Sequence, residues 1–296
     1  MDAVRALALV LLGGCALDMS APAPWVPIEG VPLGAELAQP DIIAIAHRLP
    51  AVLTQPVRVV TYNVQYGRDV AAIANAIESV PALATAGVFL IQEIEAYDAE
   101  GKSRAQMLAE LLELGYVYVP ARAVDGGTHG LAIMSAFPIT GVERMDLRES
   151  ANPSQHRIAI RATIDVNGTL LHLVDLHLDT MLSAQQRVAQ LSPIVIDAPP
   201  TALVGGDFNS CWVEWADGSV PVLSATRASD QAPVIDSYMH AIKFDAPTKG
   251  SGPTESMFGL EQRLDMIYTR GLHATFGGVE RVGPSDHWPM WIDVDQ

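Results

Sequence analysis

The chain has 296 residues, 49% of them hydrophobic, so it can bury a sizeable core, and disorder is excluded for most of its length. Its formal net charge is -16 and its only lysines are Lys102, Lys243 and Lys249. That balance argues against unspecific attraction to phosphate polymers or anionic lipid surfaces, while leaving room for a local basic site.

In chain order, Arg5 precedes the apolar run ALALVLLGG, too short to span a bilayer and of the right length for an export signal. The run ends at LGGC, Leu12 to Cys15, which resembles the lipobox of bacterial lipoproteins. The resemblance implies a signal over residues 1–15, lipidation of Cys15, and a protein anchored to a membrane by its N-terminus on the periplasmic or cell-surface side. A cleaved signal with an incidental cysteine is the alternative. With Cys15 lipidated, Cys211 is the remaining thiol; no intramolecular disulfide can form, and the expected role of Cys211 is a small buried filler. Residues 16–56 are punctuated by Pro22, Pro24, Pro27, Pro32, Pro40, Pro50 and Pro56 and read as a tether, with a short helix expected over Ile42 to Arg48. One catalytic or binding domain is expected over 57–296.

Within that domain, VRVVTYNV and GVFLIQEI are short β-branched runs that predict strands. DVAAIANAIESV and SRAQMLAELLELG place apolar residues three and four apart and predict helices. RIAIRATIDV and TLLHLVDLHL flank Asn167-Gly168, a strong signal for a tight hairpin, and predict an antiparallel pair. SAQQRVAQLSPIVI reads as a helix, TALVGGDF as a strand, and RLDMIYT and HWPMWIDV as late strands. Hairpins mixed with helical crossovers predict an α/β fold of stacked sheets with helices outside.

Polar residues interrupt these apolar runs near their ends. Asn63 closes TYNV, Glu93 closes FLIQE, His177 lies in LHLVDLHLD, Asp207 and Asn209 follow LVGG, Asp265 opens LDMIY, and Asp286 and His287 lie in SDH. A buried carboxylate is costly without partners, so a set of them at strand ends needs a common reason. Carboxylates, amides and histidines without cysteines form a hard, oxygen-rich inventory that suits Mg2+ or Mn2+ better than zinc. Such an ion stabilises phosphoryl oxygens and helps to generate hydroxide, which is the chemistry of phosphate ester hydrolysis.

In order, TYNVQYG, LIQE, GLAIMSAFPI, VDLHLD, GGDFNS, RLDMIY and SDHWPM resemble the successive motifs of the endonuclease/exonuclease/phosphatase superfamily. The resemblance runs from about Val57 to Val294. It implies a four-layered α/β sandwich of the DNase I type, two packed mixed β-sheets flanked by helices, with the site at one rim. It further implies that Glu93 is the main metal-binding carboxylate, with Asn63 and Asp286 close to the same ion. Asp207 would position or deprotonate the attacking water, and Asn209 would orient that water and the phosphate. His177 and His287 would contact the phosphoryl oxygens, and Asp265 would orient His287.

Two departures from the family pattern stand out: Asp175 and Leu176 before the motif histidine, and Met266 after Asp265. In a regular strand Asp175 shares a side with His177, and the expectation is that its charge keeps His177 protonated. The expected activity is that of a metal-dependent phosphodiesterase acting on a phosphate ester. A secreted nuclease of the same family, or a noncatalytic surface module holding a phosphorylated ligand, are the alternatives. Nucleic acid is open as a substrate but not favoured, because few basic residues are available to line a cleft. Trp212 and Trp215 lie near the presumed cleft, for stacking or for packing. Arg157 and Arg187 stay open between approaching the site and making ordinary salt bridges.

Overall fold

The computed structural model describes residues 41–43, 56–147, 156–180, 182–210, 213–216, 220–223, 232–257 and 260–295. The first half runs β1 (Asp41–Ile43), β2 (Val57–Tyr66), α1 (Val70–Ser79), α2 (Pro81–Ala84), β3 (Val88–Tyr97), α3 (Arg104–Leu112), β4 (Gly115–Val124), β5 (Gly127–Ser135) and β6 (Ile139–Asp146). It continues with β7 (Ile158–Val166), β8 (Thr169–His177), α4 (Ala184–Val195), β9 (Ala202–Asp207), β10 (Val213–Ala216) and β11 (Val220–Leu223). The last elements are α5 (Ala232–Ala241), β12 (Glu255–Met257), β13 (Leu260–Gln262), β14 (Asp265–Arg270), β15 (His273–Val279) and β16 (Met290–Asp295).

These strands build a seven-stranded sheet, β1-β4-β5-β3-β2-β16-β15, and a five-stranded one, β14-β9-β8-β7-β6. Each is mixed. β2 and β3 run parallel, as do β8 and β9. The chain crosses between the first pair through α1 and α2, and between the second through α4. The N-caps are legible in the sequence: Asp69 accepts from the Ala72 amide, and Ser103 from that of Gln106. Ser183 and Gln186 form a reciprocal capping box at the start of α4. The hairpin expected at Asn167-Gly168 is present, with φ of 55° and 94° at the two turn residues and Val166 opposite Thr169.

Period-two alternation divides the strands between three cores. Val60, Tyr62, Phe89 and Ile91 pack outward against Ile73, Ile77, Leu83 and Leu108 of the first helices. Val174, Leu176, Val204 and Tyr268 pack outward against Leu191, Ile194, Ile235 and Met239 of α4 and α5. Between the sheets lie Val57, Val59, Val88, Leu90, Leu131, Ile160, Leu171, Leu173, Leu203 and Ile267. The result is helix, sheet, sheet, helix, the four-layered sandwich that the motifs imply.

Two glycines let the sheets close. A Cβ at Gly206, whose φ is 143°, would lie 2.0 Å from the Leu176 carbonyl oxygen, so only glycine fits beside β8. At Gly205 a Cβ would meet Leu90 Cδ1 of the facing sheet at 2.6 Å. Phe208, between the acid and the amide, is fully buried in the outer core, as alternation predicts.

One local expectation is corrected. Asp41–Ile43 is not the start of a helix but a strand, antiparallel to β4 with Asp41 opposite Tyr118. It satisfies the backbone edge that β4 would otherwise leave open. Residues 1–40 and 44–55, with the export signal and Cys15, lie outside the described residues, as do Cys211 and Trp212.

Candidate active site

The core between the sheets turns polar at one end, and it does so strand by strand. On β2 the inward series Val57, Val59 continues as Thr61 and Asn63; on β3, Val88 and Leu90 continue as Gln92. On β8, Leu171 and Leu173 lead to Asp175 and His177; on β9, Leu203 leads through Gly205 to Asp207. On β14 the series runs backward from Ile267 to Asp265. Register then sets Asp207 between its neighbours, opposite Asp265 on one side and His177 on the other.

Asp207 is the hub. Asn63 Nδ2 donates to its Oδ2 at 3.0 Å, and the Asn209 amide donates to its Oδ1 at 2.8 Å. His177 Nε2 and His287 Nε2 approach the same Oδ2 at 3.4 and 3.8 Å. His287 is held from behind by Asp265, with Nδ1 and Oδ2 2.8 Å apart. Asn209 sits at φ 48° and spends its side-chain amide on the Leu178 carbonyl at 2.9 Å, which ties β9 to the end of β8.

Glu93 stands on a bulge. The pairing of β3 with β5 shifts between Ile91 and Ile94, that of β2 with β3 shifts between Asn63 and Tyr66, and Glu93 itself has φ 57°. Gln65 and Tyr66 are also left-handed, at 45° and 69°, so the backbone holds strain where these strands approach the site. Glu93 Oε1 lies 3.8 Å from His177 Nε2. Gln65 Nε2 donates to Asp286 Oδ2 at 3.0 Å, and Ser285 Oγ donates to the Asn63 carbonyl at 2.7 Å, which docks the SDH segment onto β2.

Charges in this site are strongly perturbed. Burial, helped by the Asp265 charge, raises the Asp207 pKa against the pull of His287 and of its hydrogen bonds. For His287 burial acts downward, but Asp265, Asp207 and Asp286 outweigh it and hold the imidazole well above its usual range. His177 is pushed the other way, first by burial and then by the Arg157 charge. Asp286 is raised by burial and by its neighbour Glu93. The charges of Arg157, His129, His287 and Arg122 add to burial in lowering the His177 pKa.

The structure corrects the role expected of Asp175. It shares the inward face with His177, but Gln92 Nε2 takes its Oδ1 at 2.6 Å. Burial pushes its pKa well up, favouring the neutral acid, so it supplies no charge to keep His177 protonated. The ring's partner is Arg157, whose Nη1 lies 2.9 Å from Nδ1 and 3.1 Å from Nε2. Arg187 serves structure: it is fully buried and donates to the carbonyls of Asp179 and Thr180, fixing the turn after β8.

Two further groups belong to the site without a signal at a strand end. Ser285 accepts from the His287 amide at 3.2 Å while holding Asn63. Glu255, fully buried on β12, is bridged through its backbone to His287, and burial pushes its carboxyl up to about 7.

The donor set fits a divalent cation. Among the described residues, ligand atoms of Asp207, Asp265 and His287 lie within 4.8 Å of one another. Asp265 Oδ1 and Glu255 Oε1 are buried with no hydrogen-bond partner. Glu93 and Asp286 face each other closely enough for one charge to raise the other's pKa, an arrangement that a cation relieves. Oxygen donors of this kind suit a hard ion.

The profile of the Endonuclease/Exonuclease/phosphatase family matches residues 60–287 of the chain. A comparison with curated proteins finds no match. Among solved structures, an endonuclease/exonuclease/phosphatase family protein from Leptotrichia buccalis is 15% identical, covering 81% of this chain and 100% of its own, with a TM-score of 0.59. A mannosyl-6-phosphatase from Bacteroides thetaiotaomicron is 17% identical over 81% of this chain and 100% of its own, with a TM-score of 0.56. The human nocturnin catalytic domain, solved with a bound sulfate, is 16% identical over 87% of this chain and 97% of its own, at 0.55. At these identities the likeness establishes a shared fold, the DNase I-like sandwich.

Proposed function

The chain belongs to the endonuclease/exonuclease/phosphatase family, and from that premise we propose that it is a divalent-metal-dependent hydrolase of phosphate esters, acting first of all on phosphodiesters. The observation that carries this reading is the convergence of His177 and His287 on one oxygen of Asp207, at 3.4 and 3.8 Å, at the polar end of an otherwise apolar core.

Glu93 and Asp286, with Asn63 beside them, would hold Mg2+ or Mn2+. Bound there, the ion would draw charge from phosphoryl oxygens and make water more acidic. The residues of the chain do the rest. Asp207, fixed by the amides of Asn63 and Asn209, accepts the proton of the attacking water at its carboxylate. His287, kept protonated by Asp265, donates from Nε2 to the phosphoryl group as negative charge builds on it. His177 faces the same group from β8. The apolar floor of Val59, Leu90, Leu173 and Leu203 keeps water from reaching these charges from below.

The test is a panel of nucleic acids, sphingomyelin, phosphoinositides and chromogenic diesters, offered to the purified chain with Mg2+ or Mn2+. Metal-dependent release, abolished in Asp207→Ala and His287→Ala, is the expected result. No turnover of any of them would defeat the reading in favour of a module that only binds a phosphorylated ligand.

We also propose that the enzyme is exported and membrane-anchored through a lipid on Cys15; LGGC after an apolar run supports this. Incorporation of labelled palmitate that persists in Cys15→Ser would refute it.

A further inference from the structure

Asn63 and Glu93 lie on strands that are irregular at the same place. Along β2 and β3, Asn63 pairs with Gln92 and the next pair is Tyr66 with Ile94, so Val64 and Gln65 stand against Glu93 alone. Along β3 and β5, Ile91 pairs with Ala132 and the next pair is Ile94 with Gly130, so Gln92 and Glu93 stand against Leu131 alone. Glu93 therefore belongs to two bulges at once, and Gln65, Tyr66 and Glu93 all hold positive φ. Strained backbone of this kind persists only where surrounding contacts over-determine it. The strain has a product: from its left-handed position Gln65 gives its amide N–H to Asn63 Oδ1 and its side chain to Asp286 Oδ2, each at 3.0 Å.

Arg104, the first residue of α3, supplies a contact that spans the irregularity. Its Nη1 donates to the Tyr66 carbonyl at 2.8 Å and lies 3.4 Å from Glu95 Oε2, so one nitrogen joins β2 to β3 just past both bulges. Glu95 in turn lies 3.5 Å from His129 of β5, the residue opposite it, which extends the tie to a third strand. Nε and Nη2 of the arginine donate to Glu100 at 3.1 and 2.8 Å. The side chain comes from a fixed base, since Ser103 caps α3 and is bridged through its backbone to Ala96 of β3. A planar fork serves these acceptors together, whereas an ammonium is a single point of charge.

We propose that Arg104 is a positioning residue for the divalent cation. By clamping the Tyr66 carbonyl and Glu95, it holds the double bulge in the register that brings Glu93 toward Asn63 and Asp286, and it does so without touching the ion. Outer contacts that orient metal ligands contribute to metal affinity in this way. The sign is diagnostic: removing a positive charge favours a cation by Coulomb's law, so a fall in affinity reports geometry. This rests on the reading of Glu93, Asn63 and Asp286 as the cation site, and its test reads binding and backbone opening instead of turnover.

Mn2+ binding to the full-length chain, treated with EDTA and dialysed, is measured by titration calorimetry for wild type, Arg104→Met, Arg104→Lys and Lys102→Gln, counting the site that Glu93→Gln removes. Lys102 pairs with Glu110 at the surface, and its variant should bind like wild type. Arg104→Met should bind about 10–100-fold more weakly, the range for a lost outer contact to a metal ligand, and Arg104→Lys should fall between. Hydrogen exchange without metal should rise in residues 63–67 and 92–95 of Arg104→Met and stay unchanged in β8 and β9. If Arg104→Met does not fold, Arg104→Lys carries both comparisons. Equal affinity in wild type and Arg104→Met overturns the proposal, as does faster exchange spread evenly over the chain, which would make Arg104 a structural residue only. Absence of the Glu93-dependent site in wild type defeats the cation reading itself, and the clamp with it.

Discussion

Asp265 Oδ2 lies 2.8 Å from His287 Nδ1, so the ring is fixed with Nε2 toward Asp207, whose Oδ2 is 3.8 Å away. Against the burial that would lower it, Asp265 is the first of the acids that raise the His287 pKa, ahead of Asp207 and Asp286. In Asp265→Asn only Asp207 and Asp286 remain to oppose burial, and His287 should lose its proton at lower pH than in wild type. The alkaline limb of kcat/KM should then move to lower pH, with activity at pH 8 down about 100-fold, in the range of lost general acid catalysis. Stability follows the same sign. A raised folded pKa stabilises below the unfolded value of about 6.5 and ceases to do so as pH rises through the folded value. In EDTA, the advantage of wild type over Asp265→Asn in urea unfolding should therefore be largest below pH 6 and shrink toward alkaline pH. An unchanged pH–rate profile would mean that Asp265 does not act through His287.

Metal should stabilise the fold independently of turnover. Asp207 and Asp265 are like charges side by side, as are Glu93 and Asp286, and each pair repels without a cation. Ligand binding to the native state at 100 times its Kd contributes about 2.7 kcal/mol. For a domain of this size that corresponds to a rise in Tm of about 5–10 °C. Saturating Mn2+ should produce such a rise, EDTA should reverse it, and Glu93→Gln combined with Asp286→Asn should abolish most of it. An equal rise in the double variant would place the ion elsewhere.

Glu95 gives the acid side of the stability curve. Burial alone would raise its pKa, but His129 at 3.5 Å, the Tyr97 hydroxyl at 2.7 Å and Arg104 at 3.4 Å together hold it below the usual glutamate value. A depressed carboxyl stabilises above its unfolded pKa and stops doing so as pH falls through the folded one. Glu95→Gln should cost about 1–2 kcal/mol at pH 7 and progressively less below pH 4.5, as read from urea midpoints. A cost that does not vary with pH would assign the loss to packing.

Much of the site was legible because period two in LLHLVDLH and LVGGDF puts His177 and Asp207 on the inward face, and because the order of the motifs names their partners. Residues placed by long-range register were not. Arg157 reaches His177 because β7 lies beside β8, and Glu255 meets His287 through a backbone bridge that spans over thirty positions of chain. The bulge at Glu93 was equally hidden, since FLIQE reads as a regular strand while the backbone at Glu93 is left-handed. The charge on Asp175 misled for a physical reason: burial changes its protonation, and sequence shows the carboxyl but not the burial.

Asp175→Asn separates these two readings of the residue. Asp175 accepts the Gln92 amide at 2.6 Å, and Gln92 is tied in turn to Thr61, so an asparagine oxygen can take the same bond without a charge to bury. Because its folded pKa is raised, wild type should lose stability as pH climbs from its ordinary value near 3.8 through the folded one, and Asp175→Asn should not. The variant should therefore match wild type in acid and equal or exceed it at pH 8 in urea unfolding. The Cε1 proton of His177 should titrate alike in both, since Arg157 and burial set that ring. A fall of one unit in the His177 pKa in Asp175→Asn would restore the aspartate as its charge partner.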